Sequence, residues 1–582
     1  MDNNLGINSE IPEQELEADD CRTRFLSDTY ADFIVELSGY PGLQLEEFQE
    51  PCSQNITGRF GIVHINREQL ELIDLMEFKY YSIPNLYGLM QENAAVAVNA
   101  VRMQNQPSLQ LKGQGVIIGF VDTGIDYTHK AFRLTSGQTR IISIWDQTIQ
   151  EGEPPKGYYY GTEYSEAQIN EALESDTPYE FVPSRDEDGH GTFLAGVAAG
   201  SQDIQSSFVG VAPESTLAIV KLKTAKPYLL DYYTIKEGAA AYQETDIMLG
   251  IRYLTELGLT LQKPIVILVG LGTNQGNHAG KSPLGLFLNV TSTVAGVGMV
   301  IDGGNEGNKR HHFQGKLENE TEYEEVEINV GSGERGFVVE LWGTSPEIYS
   351  VSIVSPTGEI NPRIPAGIDR VEKIEFVFDN TIIYVQYEIV EVRTGDQLIS
   401  IHFIGPSEGV WRVRVYGNNL VNGIFHMWLP IAQFVGTDTV FLNPTPDVTL
   451  TEPSNGFNPI TVSGYNSISG SLFPESSRGF TTENYYKPNI AAPAVDVIGP
   501  ALNGEYTTKS GTSISAAVTA GATAQMFTWD MEENDQITFN TIDIRNYWIR
   551  GATRSSGTIY PNKALGYGLL DVYNTFEVLV QR

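Results

Sequence analysis

The stretch "KPIVILVGLG" (Lys263–Gly272) decides the fold, because it joins an unbroken apolar run to a glycine-containing turn. The run is too short to span a bilayer and suits a strand that is buried on both faces of a sheet. Helical stretches such as "DIMLGIRYLTELG" (Asp246–Gly258) separate it from similar strands. These strands are "GVIIGFVDTG" (Gly115–Gly124), "STLAIVKLK" (Ser215–Lys223) and "GVGMVIDGGNEG" (Gly296–Gly307). We therefore predict an α/β fold in which helices cover both faces of a parallel sheet.

The net charge of the chain limits the classes of molecule to which the protein can bind. Its 582 residues include 37 basic and 73 acidic side chains, which gives a formal net charge of −36. Nucleic acids and anionic lipid surfaces both require a basic patch on the protein that binds them. We therefore expect no nucleic-acid partner and no adsorption to an anionic lipid surface. No membrane span is expected either, because the longest apolar run is too short.

The N-terminus and the cysteines bear on the compartment. The first twenty residues, "MDNNLGINSEIPEQELEADD", lack the basic and apolar regions of a signal peptide. Cys21 and Cys52 are the only cysteines, so no disulfide framework is expected to hold the main body together. A reducing compartment fits these features best, although many secreted bacterial enzymes also lack disulfides.

Changes of pattern along the chain predict five segments. Residues 1–30 are polar and acidic and are expected to be disordered. Residues 31–91 contain two β-branched stretches followed by a Glu- and Leu-rich stretch with helical spacing, which predicts a small α+β module. Residues 313–440 are short alternating strands with turn residues between them, which predicts an antiparallel β-sandwich of jelly-roll type. It would interrupt one α/β domain, formed by residues 92–312 and 441–582.

Two candidate catalytic residues precede the predicted insertion. Asp122 lies in "VDTGID" (Val121–Asp126), at the carboxyl end of a predicted strand, where active sites of open α/β sheets collect. It could equally be a turn aspartate, and an aspartic protease would need a second such motif or a homodimer. His190 lies in "DEDGHGTFLAGVAAG" (Asp186–Gly200), where a loop enters a predicted helix. That context suits a rigidly held general base, although histidines at helix starts are usually structural.

Two further candidates lie in small-residue contexts. Asn305 follows a predicted strand within "DGGNEGN" (Asp302–Asn308), and its amide is either a turn residue or a donor to a developing oxyanion. Ser513 lies in "SGTSISAAVTAGATA" (Ser510–Ala524), where it is either a helix cap or a nucleophile. Each motif alone leaves both interpretations open.

In their order along the chain, Asp122, His190, Asn305 and Ser513 resemble the catalytic Asp, His, oxyanion Asn and Ser of the subtilisin-like serine proteases. Flanking motifs resemble that family too, among them "GVAP" (Gly210–Pro213), "KPNIAAP" (Lys487–Pro493) and "GTSISAA" (Gly511–Ala517). Ala517 stands where the family usually has proline, which leaves the catalytic positions untouched.

The resemblance implies a serine endopeptidase that requires no cofactor. Ser513 would attack the peptide carbonyl, His190 would transfer its proton, Asp122 would orient His190, and Asn305 would stabilise the oxyanion. Structural calcium is known in the family, but no ligand set for it can be identified in this sequence. The backbone expected to pair with an extended substrate is that of Gly270, Leu271, Gly272 and Gly304.

Within that family the chain is similar to the Csp germination proteases of clostridial spore formers, on the long β insertion after Asn305 and the "GTSISAA" variant. This similarity implies that residues 31–91 are a prodomain, cleaved by the protease itself near Leu89, Met90 or Gln91 and then retained. It also implies a specific protein substrate, such as a spore cortex-lytic zymogen, and a cytoplasmic or spore-associated location. The alternatives are a regulator or scaffold whose cleft the prodomain blocks, or a broad-range degradative protease.

Overall fold

The computed structural model describes residues 18–37, 52–57, 59–67, 78, 80–89, 98–107, 109–206, 208–368, 370–534 and 536–580. The stretch predicted to be helical before residue 78 lies largely outside these ranges.

The first part of the chain supplies twelve of the described strands and eight of the described helices. The strands are β1 (Tyr30–Glu36), β2 (Gln54–Asn55), β3 (Phe60–Asn66), β4 (Leu86–Leu89), β5 (Ile117–Asp122), β6 (Ile141–Asp146), β7 (Thr162–Ser165), β8 (Thr216–Lys221), β9 (Tyr242–Gln243), β10 (Ile265–Val269), β11 (Leu271–Gly272) and β12 (Val297–Asp302). The helices are α1 (Ala18–Leu26), α2 (Ala100–Gln104), α3 (Glu166–Leu173), α4 (Pro178–Phe181), α5 (His190–Ala199), α6 (Pro227–Tyr232), α7 (Glu244–Leu261) and α8 (Pro283–Thr291).

The remainder of the chain begins with a run of strands and ends with helices. The strands are β13 (His312–Lys316), β14 (Tyr323–Val330), β15 (Gly336–Gly343), β16 (Ile348–Val354), β17 (Arg370–Phe376), β18 (Thr381–Glu388), β19 (Gln397–Ile404), β20 (Gly409–Asn419), β21 (Ile424–Trp428), β22 (Val440–Phe441), β23 (Ile460–Tyr465), β24 (Ile490–Pro493), β25 (Val497–Pro500) and β26 (Tyr506–Lys509). The helices are α9 (Thr512–Asn534), α10 (Thr541–Gly551) and α11 (Val572–Val580).

An eight-stranded sheet in the order β24-β23-β12-β10-β5-β8-β6-β7 forms the centre of the α/β part. Its neighbouring strands are parallel except for β7, which runs antiparallel to β6. Alternate residues of β5 enter two separate cores: Ile118 and Phe120 pack with α5 and α9, and Ile117 and Val121 pack with α7 and α8. Because β5, β10 and β12 are covered on both faces, their sequences are apolar up to their carboxyl ends. The predicted α/β fold with helices on both faces is confirmed.

Residues 312–441 form two antiparallel sheets that share one apolar core. One sheet has the order β13-β21-β15-β19-β18-β17 and the other the order β16-β20-β14-β22. Phe337 and Phe403 of the larger sheet pack in the same core as Trp411 of the smaller one. Side chains alternate between this core and the outside, which is the pattern that predicted a sandwich.

The N-terminal region contains more structure than the sequence predicted. Residues 18–30 were expected to belong to a disordered tail, but α1 occupies most of them and Cys21 forms a disulfide bond with Cys52. Phe25 of α1 is buried in the core on the α7 face of the sheet. This helix was not predicted, because its few apolar residues are interspersed with charged ones. A disulfide bond is typical of an oxidising environment, which argues against the predicted reducing compartment.

A buried polar cluster joins this N-terminal region to the α/β part. Asp32 on β1 lies 2.7 Å from Nδ1 of His64 and 2.7 Å from Nζ of Lys226, and Gln243 donates to its other carboxylate oxygen at 2.7 Å. Tyr228 donates its hydroxyl to the backbone carbonyl of Asp32. Burial alone would raise the pKa of Asp32, but Lys226 and His64 outweigh it and hold the pKa well below its ordinary 3.8. The cluster therefore anchors β1 and β3 against the strand β9, which carries Gln243.

Candidate active site

Three elements bring Asp122, His190 and Ser513 together. Asp122 is the last residue of β5, and His190 is the first residue of α5. Helix α9 begins one residue before Ser513, so the serine lies in its first turn rather than at the predicted capping position. The approach of α5 to the turn after β5 requires glycine, because a Cβ at Gly191 would lie 2.2 Å from the carbonyl oxygen of Gly124.

The three side chains form a continuous hydrogen-bonded series. Nδ1 of His190 lies 2.8 Å from Oδ1 and 3.0 Å from Oδ2 of Asp122, and Nε2 of His190 lies 3.2 Å from Oγ of Ser513. All three residues are buried. Burial disfavours the imidazolium ion, but the charge and the hydrogen bond of Asp122 outweigh it and raise the pKa of His190 above its ordinary 6.5. The arrangement can remove a proton from the serine hydroxyl and stabilise the imidazolium that results.

The amide of Asn305 lies beside the start of α9. Its Oδ1 accepts a hydrogen bond from the backbone N–H of Thr512 at 3.1 Å. Its Nδ2 is buried and has no hydrogen-bond partner among the described residues. A buried N–H without a partner is costly, and an amide held through its oxygen can donate to a new oxyanion without reorganising.

The predicted substrate-pairing segment is paired with the chain's own N-terminal region. In β11, Leu271 pairs with Leu89 and Gly272 pairs with Gly88, both in the antiparallel sense. Gly270 precedes β11 and adjoins the hydrogen-bonded series, because a Cβ at this position would lie 3.3 Å from Cβ of Ser513 and 3.5 Å from Cε1 of His190. Strand β4 therefore runs toward Ser513. Of the residues predicted near a cleavage site, Met90 and Gln91 lie outside the described residues.

Gly304 differs from its predicted role in pairing with substrate. Its N–H donates to the side chain of Asp302 at 3.1 Å, and its carbonyl accepts from the N–H of Ser477 at 2.9 Å. The turn after β12 folds back on itself with φ of +94° at Gly304, which favours glycine. The backbone groups of Gly304 are thus engaged within the protein, which argues against the prediction that they bind a peptide.

The strand on the other side of β4 was not predicted from the sequence. Strand β9 pairs antiparallel with β4, with Gln243 opposite Leu86 and Tyr242 opposite Tyr87. The resulting three-stranded sheet has the order β11-β4-β9, so β4 has a strand on each side. A two-residue strand such as β9 has no periodicity that could reveal it.

The described part of the chain contains neither a cluster of metal-binding side chains nor a membrane-spanning helix. No group of three or more His, Cys, Asp or Glu side chains among the described residues could hold a metal ion. In the same residues, no helix has the length and apolar character needed to cross a bilayer.

Comparison with known proteins identifies the family. The model of the subtilase family matches residues 113–331 and 408–568, which is more than half of the chain. The chain therefore belongs to the subtilase family and has the fold of its serine endopeptidases. The structure of the CspB protease of Clostridium perfringens matches with a TM-score of 0.74 and 31% identity, over 84% of this chain and 98% of that one. Within the family, this chain is thus a Csp-like subtilisin-like protease.

Curated relatives with lower identity are longer proteins. The PII-type proteinase of Lacticaseibacillus paracasei is 20% identical over 571 residues, which cover 85% of this chain and 28% of the relative. The C5a peptidase of Streptococcus pyogenes serotype M1 is 22% identical over 434 residues, which cover 70% of this chain and 34% of the relative. The chain thus spans about a third or less of the length of these relatives.

Proposed function

We propose that the chain is a serine endopeptidase with Ser513 as nucleophile, His190 as general base and acid, and Asp122 as the residue that orients His190. Asn305 and the backbone N–H of Ser513 stabilise the oxyanion. The observation that carries this proposal is the hydrogen-bonded series from Asp122 through His190 to Ser513.

Labelling with a fluorophosphonate probe tests this assignment. The wild type is expected to be labelled, whereas Ser513→Ala is expected to remain unlabelled. Ser515→Ala is the matched control, because Ser515 is in the same helix and donates to the backbone carbonyl of Ala492. Labelling of Ser513→Ala at the wild-type rate would contradict the assignment.

We further propose that the chain cleaves itself near Leu89, Met90 or Gln91. The pairing of β4 between β9 and β11 supports this, since an extended peptide held on both sides is the form in which proteases bind substrates. The antiparallel register brings Leu89 opposite Leu271, so the chain that follows Leu89 continues toward Gly270 and Ser513.

Mass spectrometry of the purified protein tests self-cleavage. The wild type and Ser515→Ala are expected to yield two fragments, and Ser513→Ala one intact chain. An intact wild-type chain, or the same two fragments from Ser513→Ala, would refute the proposal.

The cleaved N-terminal module is proposed to stay bound. Two contacts support this proposal. The cluster around Asp32 joins the module to the α/β part, and Tyr80 donates its hydroxyl to Glu340 of β15 at 2.5 Å. After cleavage, both fragments are expected to elute together in size-exclusion chromatography. Separate elution of the wild-type fragments would contradict retention.

The substrate is proposed to be a specific protein, such as a spore cortex-lytic zymogen, which the protease encounters in a spore-associated location. The similarity to the CspB protease and the strand lying in the cleft both support a restricted specificity. Incubation with a purified zymogen of that kind is expected to give one cut, with casein as the control. Comparable digestion of casein would favour a broad-range degradative protease.

The occupied cleft also favours a second candidate function. If β4 stays in place permanently, the protein is a regulator or scaffold without turnover. A protein that cleaves neither itself nor an added substrate would support this alternative.

A further inference from the structure

A carboxyl group lies directly behind the candidate oxyanion site. Asp302 is the last residue of β12 and is 0% exposed. Its Oδ2 accepts hydrogen bonds from the hydroxyl of Thr512 at 3.0 Å and from the N–H of Gly304 at 3.1 Å. Its Oδ1 is buried with no hydrogen-bond partner among the described residues. A bare carboxylate oxygen in such surroundings is costly, and protonation of the group removes most of that cost.

The hydroxyl of Thr512 is shared between two oxygens. Thr512 Oγ1 lies 3.0 Å from Oδ2 of Asp302 and 3.2 Å from Oδ1 of Asn305. A hydroxyl carries one proton and can donate to only one of them. With Asp302 ionised, the hydroxyl donates to one of these oxygens, and a lone pair of Oγ1 faces the other. That second contact joins two acceptors, because neither the carboxylate of Asp302 nor the amide oxygen of Asn305 carries a proton.

A proton on Asp302 turns both contacts into hydrogen bonds. Asp302 then donates to Thr512 Oγ1, and Thr512 donates to Oδ1 of Asn305. The N–H of Thr512 already donates to the same oxygen. Two donors then hold Oδ1 of Asn305, and its Nδ2 remains free to donate to a reacting carbonyl.

We propose that Asp302 is a positioning residue of the oxyanion site, whose protonated form acts through the Thr512 hydroxyl to hold Nδ2 of Asn305 toward the reacting carbonyl. The neutral form also keeps a negative charge away from the developing oxyanion. This inference rests on the roles proposed above for Ser513 and Asn305.

The surroundings of Asp302 favour the neutral form. Burial raises its pKa to about 6, against the hydrogen bonds from Thr512 and Gly304 and the charge of His190, which lower it. The strand β10 and the first turns of α9, which pack against β12, carry no ionisable side chain. Of the other neighbouring elements, β23 pairs with β12 and carries Tyr465. The turn after β12 and the segments hydrogen-bonded to it carry Glu306, Glu452, Glu475 and Arg478, and His190 acts on Asp302 through its charge. The protonated fraction therefore falls as the pH rises through about 6.

Hydrolysis of p-nitrophenyl acetate by Asp302→Asn and by the wild type, followed against pH, tests the inference. Asparagine can donate to Thr512 but does not titrate. The charge of Asp302 also acts on the pKa of His190, so each kcat/KM value is first divided by the fraction of neutral His190 taken from that protein's own profile. We expect the ratio of variant to wild type to rise about tenfold between about pH 5.5 and about pH 8.5, through kcat rather than KM. A ratio that does not change with pH would overturn the proposal.

Two further variants keep the test decisive. Thr512→Val removes the bridging hydroxyl, so its ratio to wild type should rise with pH in the same way, and adding Asp302→Asn to it should change nothing more. If Asp302→Asn does not fold, the profile of Thr512→Val decides, and a flat profile overturns the proposal. Hydrolysis that survives in Ser513→Ala would refute the proposed function itself, whereas its loss together with flat ratios would refute the role of Asp302 alone.

Discussion

Two buried aspartate–histidine pairs of nearly the same geometry occupy different regions of the molecule. In the candidate active site, Nδ1 of His190 lies 2.8 Å from Asp122, and in the N-terminal region, Nδ1 of His64 lies 2.7 Å from Asp32. The pairs differ in what surrounds them. Asp32 also binds Lys226, and Nε2 of His64 is buried without a hydrogen-bond partner among the described residues. The geometry of the pair alone therefore does not make a catalytic site.

The partner of the second imidazole nitrogen and the charge on the carboxylate separate the two pairs. Nε2 of His190 faces the hydroxyl of Ser513, and the charge of Asp122 stabilises the imidazolium ion. The charge of Asp32 is compensated by the ammonium group of Lys226, so that pair stabilises the contact between two regions. One pair is thus assigned to catalysis and the other to anchoring.

The largest effect is expected from Asp122→Asn. The amide cannot compensate the imidazolium charge and favours the wrong tautomer of His190, so kcat should fall about 10⁴-fold while the fold is kept. Hydrolysis of p-nitrophenyl acetate measures the loss, and circular dichroism checks the fold. A kcat within about tenfold of wild type would show that Asp122 does not orient His190 for catalysis.

Asp32→Asn is expected to act on stability instead. It leaves the ammonium group of Lys226 buried without its counter-ion, which costs about 3 kcal/mol of unfolding free energy. Urea unfolding measures that loss, while kcat of the folded protein should stay near wild type. A fall of kcat comparable to that of Asp122→Asn would erase the distinction between the two pairs.

The two pairs should also differ in their response to pH. The pKa of His190 is raised above 6.5 and its neutral form is the base, so kcat/KM of Asp302→Asn, in which position 302 does not titrate, should rise with pH through a value above 6.5. The pKa of Asp32 is lowered, so its stabilisation is present above its unfolded value near 3.8 and is lost as the pH falls below it. The activity profile of Asp302→Asn measures the first, and the stability profile of the wild type measures the second. A catalytic pKa below 6.5 would contradict the first expectation, and acid unfolding unchanged in Asp32→Asn would contradict the second.

The smallest effect is expected from His64→Gln. Glutamine can still donate to Asp32, and Lys226 and Gln243 remain bound to it, so the loss of unfolding free energy should be about 1 kcal/mol. Urea unfolding and ester hydrolysis measure stability and kcat. A loss larger than that of Asp32→Asn would show that His64, rather than Lys226, holds the anchor.

The sequence predicted those parts of the site that stand next to regular elements. Asp122 ends a long apolar strand and Asn305 follows another, and His190 and Ser513 lie in the first turns of helices rich in small residues, so each motif had a recognisable context. The centre of the sheet was predictable for a related reason, since β5, β10 and β12 are long apolar runs.

Features set by contacts between distant parts of the chain were not predictable. The disulfide bond between Cys21 and Cys52 and the short strand β9 depend on the tertiary fold and have no local signal. Gly304 was assigned to substrate binding from its motif, but its backbone groups bind Asp302 and Ser477 instead. The aspartate at position 302 was visible in the sequence, but its link to Asn305 through Thr512 becomes apparent only in three dimensions.

The position of β4 between β9 and β11 has a consequence for measurements of affinity. Because β4 belongs to the same chain as the cleft, it competes with any added peptide as a tethered ligand. A short tether corresponds to an effective concentration on the order of millimolar. The apparent dissociation constant of an added peptide then equals the intrinsic constant divided by the fraction of time that the cleft is open, so the peptide binds more weakly than it would to an empty cleft. Inhibitors ranked on the intact protein will therefore be ranked by their ability to displace β4.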